Sequence, residues 1–218
     1  MLNGLIVTLR ITFFALLIRI AIGIVISIVR STYDKNADKM RPGIGRSMLW
    51  FFNVICKIYL TVIRGTPVVV QLMIFYFVIL ISIRSGVLIG IIAFGINAGA
   101  YIAEIFRSGI MSVDAGQFEA GRSLGFNYIQ TMRFIIIPQA FKIILPTLAN
   151  EFIVLLKETA VVGYVAVQDI TKAGHIIGGR TYSWFMPLFA VALVYLVLVL
   201  FFTRLVSMLE RRLRRNER

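Results

Sequence analysis

Long apolar stretches separated by short polar ones recur along this chain. A helix needs roughly 20 such residues to cross about 30 Å of hydrocarbon. Five stretches qualify, at about 5–29, 66–83, 87–106, 134–162 and 185–205. The apolar region 48–83 is too long for one untilted crossing and is interrupted by Lys57, Arg64 and Pro67. It reads as an interfacial lead-in followed by a crossing from about Thr66. Pro42 and Gly43 forbid helix continuation in the polar loop between Arg30 and Arg46. The pattern predicts an all-α integral membrane protein with one domain over 1–218.

Composition agrees with this reading: 59% of residues are hydrophobic and the mean hydropathy is +0.90. The formal charge of +13 is distributed between apolar segments and at the C-terminus rather than along one soluble face, which argues against a nucleic-acid partner. Basic residues are retained on the cytoplasmic side. The loop Arg30 to Arg46 carries five, as does the tail from Arg211, whereas the opposite side offers Arg84 in one short turn and Lys172 and Arg180 in another. The N-terminus is therefore expected outside and the C-terminus inside, with the segment from Ser108 to Arg133 in the cytoplasm. Trp50, Tyr182 and Trp184 fall near expected span ends, as interfacial aromatics do. The first 30 residues lack the charged n-region and cleavage site of a secretory signal and read as a retained span. The single Cys56 and single His175 are read as structural, and no metal site is expected.

Between the third and fourth spans lies a helix too short to cross, expected over 115–124. Asp114 can cap it, Gln117 stands where a capping box needs it, and Gly125 suits a left-handed C-terminal cap. By itself such a segment could lie on lipid headgroups. Its details, however, are Glu119-Ala120-Gly121, three residues, Gly125, nine residues, Ile135, one residue, then Ile137-Pro138. This resembles the EAA signature of ATP-binding-cassette importer permeases: E-A-A, three residues, G, nine residues, I, any residue, L-P. Gly121 and Ile137 depart from it, each toward a residue of similar small or aliphatic character.

Further blocks resemble the polar amino-acid branch of these permeases: Arg64-Gly65-Thr66-Pro67 with Gln71; Gly95, Asn97, Ala100-Tyr101, Glu104 and Arg107; and Leu145-Pro146, Asn150-Glu151-Phe152 and Leu156-Lys157-Glu158-Thr159. The resemblance covers nearly the whole chain and implies a type I importer fold in a bacterial plasma membrane. It implies a coupling helix docking on an ATP-hydrolysing subunit through Phe118, Glu119, Ala120, Gly121, Arg122 and Gly125. It also implies a dimer of ATP-binding subunits, a second permease copy, identical or related, an external solute-binding protein and an amino-acid substrate. No cofactor is expected on this chain, because no Walker-type phosphate loop is present and ATP-Mg would bind the partner.

Polar residues within hydrocarbon mark where a zwitterion could bind. Asn97, Asn150 and Glu151 share the expected midplane, the depth at which alternating-access carriers commonly bind. Asn97, Tyr101 and Glu104 fall within about 60° on one helix face, with Glu104 also able to pair with Arg107 at i, i+3. Glu151 has no basic residue at i±3 or i±4. Its partner is either Arg19 of the first span or the cationic group of a substrate. The expected binding residues are Asn97, Tyr101, Asn150 and Glu151, with Glu104, Lys157 and Glu158 on the path or at a gate. A midplane carboxylate favours a basic amino acid over an acidic one. A membrane-embedded enzyme would need an acid, base or nucleophile cluster inside the membrane; the four aspartates, Asp34, Asp38, Asp114 and Asp169, fall outside the expected spans.

Overall fold

The computed structural model describes residues 1–36 and 43–215. Pro42, Lys39, Arg41 and Asp38 of the first loop, and Arg218 of the tail, lie outside the described residues. The described residues are almost entirely helical. Five helices are long and apolar enough to cross a membrane: 2–34, 44–65, 86–111, 128–165 and 185–213.

Helix α1 (Leu2–Asn36) and helix α4 (Gly86–Met111) form the centre. Gly90 faces Ile11, Gly95 faces Ile18 and Gly99 faces Ile22, so the two run parallel with isoleucines of α1 seated on glycines of α4. Small residues let transmembrane backbones approach closely, and that contact replaces the hydrophobic drive that lipid removes. Two parallel helices need a return stroke between them. Helix α2 (Ile44–Gly65) and helix α3 (Val68–Ile74), which continues as a π turn over Phe75–Ile79, supply it. Cys56 and Leu60 of α2 pack on Ile26, Ala100 and Ala103. Further along, Gln71 reaches Asn97, and Tyr76 meets Gly86.

The second traverse therefore differs from the expectation that it begins at Thr66. The helix of spanning length is α2 itself, and 66–83 contains only the short α3 and its π turn. Pro67 has no N–H to continue α2 and biases the preceding residue out of the α region. Thr66 is extended, with φ −122° and ψ 144°.

After α4 the chain makes α5 (Ala115–Ser123), then α6 (Tyr128–Thr131), which runs through a π turn at Met132–Ile136 into α7 (Ile137–Glu158). A 3-10 turn over Thr159–Val165 leads to α8 (Ile170–Thr181), and α9 (Phe185–Arg215) ends the described chain. Lys172, His175 and Arg180 were expected in a loop or turn but lie on α8. Asp169, fully buried, caps α8 by accepting from the amides of Thr171 and Lys172 at 3.2 and 2.8 Å. Burial pushes its carboxyl up, and those two donors pull it back. His175 stacks edge-on to Trp184, 5.8 Å between centroids, at the start of α9.

Gly4 abuts the Asp169 backbone and Gly86 abuts Val167, so the starts of α1 and α4 share one side with the end of α7. On the other side Arg107 pairs with Asp34 at 3.3 Å, and Gly109 meets Ile144. Asp34, expected beyond the first span, stands on the last helical turns of α1. Phe152 of α7 packs on Phe202 of α9, which begins beside α8. Helix α1 thus starts on one side of the bundle and α9 ends on the other.

Candidate functional site

Arg19 sits in the middle of α1 and is the largest fully buried side chain, 1% exposed. Its guanidinium donates to Glu151 at 2.8 Å and to Glu158 at 3.1 Å. The two carboxylates lie seven residues apart on α7, two turns along one face. Of the two partners considered for Glu151, the structure supplies Arg19. It adds Glu158, which sequence reasoning had placed nearer the outer end as a gating or structural residue; the i, i+7 spacing was the signal that both could meet one cation. By formal charge, one guanidinium against two carboxylates sums to one negative charge. The Nε of Arg19 is buried and has no partner among the described residues.

Asn97 is buried and takes its partner outside this triad. Its amide donates to Gln71 Oε1 at 2.7 Å. The Gln71 amide in turn donates to the carbonyls of Ile63 and Thr66, at 2.9 and 3.1 Å, and to Thr66 Oγ1 at 2.5 Å. These are the groups freed where Pro67 breaks the helix, and a buried orphan carbonyl is costly in lipid. The Asn97–Gln71 pair closes that gap. Gln71, four residues after a proline within an apolar run, was the readable signal for it.

Tyr101, 45% exposed, carries the Arg64 guanidinium over its ring at 5.3 Å from the centroid. Arg64 also donates to the Ala100 carbonyl at 2.7 Å. Glu104 pairs with Arg107 at 3.2 Å, one of the two arrangements foreseen for it. Asn150 and Lys157 are exposed on α7. The structure therefore holds Glu151 and Glu158 together with Arg19, and Asn97 with Gln71. Tyr101 stands beside Arg64.

The second candidate site is α5. Asp114 caps it by accepting from Gly116 at 2.7 Å, but the reciprocal capping box expected with Gln117 does not form, because Gln117 accepts from Gln139 of α7 at 3.1 Å. The helix ends as a Schellman motif: Gly125 has φ +77°, its amide meets the Arg122 carbonyl at 2.9 Å, and that of Phe126 meets Gly121 at 3.0 Å. Phe118 packs inward on the α4–α7 cluster around Ile136 and Ala140. Glu119, Ala120 and Arg122 are exposed, while Gly121 is buried. A Cβ at 121 would come within 2.6 Å of the Thr131 side chain, which explains why glycine replaces the second alanine of the signature.

This fold and this exposed helix have matches. Residues 43–215 match the model of the binding-protein-dependent transport system inner membrane component family. The chain is 36% identical over 220 residues to the arginine transport system permease protein ArtQ of Bacillus subtilis, covering 99% of this chain and 93% of that protein. It is 34% identical over 169 residues to the glutamine transport system permease protein GlnP of Escherichia coli, covering 76% and 77%. The crystal structure of an amino acid ABC transporter with histidines superposes with a TM-score of 0.84 at 40% identity over 97% of this chain and 92% of that one. The methionine ABC transporter MetNI, at 19% identity and TM-score 0.78, shares the fold. The chain belongs to the family of binding-protein-dependent transport system inner membrane components. Its fold is that of the type I ABC importer permeases, as the signature from Glu119 to Pro138 implied.

Proposed function

We propose that the chain is the membrane subunit of an ATP-driven importer for an amino acid bearing a cationic group. It works as a dimer with an identical or related permease, above a pair of ATP-binding subunits and beneath an external solute-binding protein. The N-terminus lies outside and the C-terminus in the cytoplasm, the arrangement that the basic tail and first loop favour. The chain hydrolyses nothing itself; ATP-Mg belongs to the partner.

The observation that carries this reading is the construction of α5. Its inner side, Phe118 and Gly121, is fastened to α4, α6 and α7, and its outer side offers Glu119, Ala120 and Arg122. A short rod fixed that way transmits a push from a partner to the bundle as a rigid-body displacement. Closure and opening around the mid-depth polar residues Asn97, Tyr101, Asn150 and Glu151 then give alternating access, with Glu104 and Lys157 nearer the ends of the path. The substrate class follows from the triad: two carboxylates on one guanidinium leave an attraction for a further cation. Relatives named for arginine and for glutamine transport set the range of chemistry.

In vesicles reconstituted with the ATP-binding subunits, Glu119→Lys is expected to lower receptor-stimulated uptake at least tenfold while the permease still inserts and assembles. Arginine is expected to compete with the transported solute better than glutamate does. Wild-type coupling in Glu119→Lys would remove α5 as the docking element, and equal competition by glutamate would remove the cationic preference.

A further inference from the structure

Two guanidiniums stand at the middle of the bundle, and they are treated differently. Arg19 is buried and answered by two carboxylates. Arg64 donates to the Ala100 carbonyl at 2.7 Å and covers the Tyr101 ring, and no carboxylate comes within ion-pair distance of it among the described residues. Ala100 lies fourteen residues from Gly86 and eleven from Met111, at the middle of the 26-residue α4. An arginine at that depth almost always faces a bundle interior or a water-filled cavity, because exposure to hydrocarbon is strongly disfavoured. Arg64 and Tyr101 are both exposed in the single chain, and by that rule the face they share belongs against polar space rather than lipid.

The charge pattern across this face is specific. Tyr101 carries Arg64 over its ring and follows Gly99 on α4, which seats on Ile22 of α1 one turn from Arg19, where two carboxylates, Glu151 and Glu158, meet one guanidinium. Only one nitrogen of Arg64 is engaged, by the Ala100 carbonyl. A guanidinium has five N–H donors in a planar fork that matches a carboxylate. A free fork on one side of a tyrosine and a negative excess on the other mirror the two charged ends of an amino acid.

We propose that Arg64 receives the α-carboxylate of the transported amino acid, pairing its fork with both carboxylate oxygens while the Tyr101 ring and the Ala100 carbonyl hold the fork in place. The proposal rests on the amino-acid reading and goes beyond it by assigning the end of the substrate that Glu151 and Glu158 cannot bind.

The test uses the assembled permease and ATP-binding subunits, titrated with L-arginine and with L-argininamide, which lacks only the carboxylate. The wild type is expected to bind the acid at least tenfold tighter than the amide. Arg64→Gln should abolish that preference by weakening the acid alone, and Arg64→Lys, which keeps the charge without the fork, should retain part of it. Equal wild-type affinity for acid and amide overturns the assignment. So does an Arg64→Gln protein that loses both ligands by the same factor, the result expected of a brace on Ala100 or of a contact to the second permease copy. A wild-type assembly that binds neither ligand ends the amino-acid reading itself and the Arg64 assignment with it.

Discussion

Arg19 decides how the polar interior of this permease is held together. A buried charge that loses its partner costs far more than the pair contributes when intact, about 3–5 kcal/mol in soluble proteins. Arg19→Met strands Glu151 and Glu158 beside each other, so it is expected to lower stability by about that amount. Glu158 is 33% exposed and its removal leaves Arg19 still bonded to Glu151, so Glu158→Gln is expected to cost no more than about 1 kcal/mol. Glu151→Gln falls between them in stability and lowers uptake of a cationic substrate about tenfold, or about 1.4 kcal/mol. Thermal unfolding in detergent, followed by tryptophan fluorescence, orders the three variants. A Glu158→Gln protein as unstable as Arg19→Met would show that Glu158, and not the 2.8 Å bond to Glu151, holds the guanidinium. Sequence reasoning named Arg19 as one of two partners open to Glu151, beside a substrate cation, because both residues are charges within long apolar stretches. It did not reach Glu158 as a third member, because depth along a helix predicts which level a residue occupies but not how far a long guanidinium spans between levels.

At the scale of elements, the long apolar helices lie on the expected runs wherever a run had polar ends, and their bounds differ where it had none. The run from Met48 to Ile83 is continuous in hydropathy, so length alone could not locate the traverse. Pro67 marks a break in the middle of it, not its start. What seals the break is Gln71, held by Asn97, a pairing between two helices that no single-helix period reveals. The short α5 was legible in the opposite way, because its cap, its left-handed glycine and its signature are all local. The register of its inner side, and the turn of Gln117 away from the expected capping box toward Gln139 of α7, needed the structure. Gly121 is pressed against Thr131, whose own hydroxyl is tied to the Asn127 carbonyl at 3.0 Å and has little freedom to move. Gly121→Ala, although it restores the family signature, is therefore expected to destabilise α5 by about 1–3 kcal/mol through overpacking. It should weaken coupling more than insertion. Thr131→Ala made in the same chain removes the clashing atoms and should restore both, read as ATP-dependent uptake beside detergent stability. Gly121→Ala with unchanged coupling and stability would mean that α5 shifts freely on its base, which a coupling rod cannot do.

The whole molecule is organised around two parallel helices that touch along their length, and in the coupling proposed above this contact is the route from α5 to the polar residues at mid-depth. Met111, at the end of α4, lies four residues before the start of α5, and the middle of α4 carries Gly95 and Gly99 on Ile18 and Ile22 of α1, the residues that flank the level of Arg19. If α1 slid on α4, the push would dissipate between them. The isoleucine-on-glycine seats prevent sliding, because each isoleucine fills a space that any larger residue on α4 would occupy. Gly99 is the most constrained test of that idea. A Cβ there would stand 2.6 Å from Ile22 Cγ2 and 2.9 Å from the Tyr59 hydroxyl, so one substitution presses on α1 and α2 together. Tyr59 cannot retreat without giving up its hydrogen bond to the Ile96 carbonyl. Gly99→Val is therefore expected to cost about 1–3 kcal/mol by overpacking. Even where it folds, it should reduce uptake by shifting the α1–α4 register that positions Arg19 and Tyr101. Gly179→Ala on α8, where a Cβ meets nothing within 4 Å, is the matched control and should change stability by about 1 kcal/mol or less, in the stabilising direction, since alanine is the better helix former. A thermal scan of both variants beside their uptake rates separates the possibilities. If Gly99→Val were as stable and as active as Gly179→Ala, the close parallel seat would be dispensable and coupling would have to travel through α7 instead, the other helix joined to α5 by way of Gln117 and Gln139.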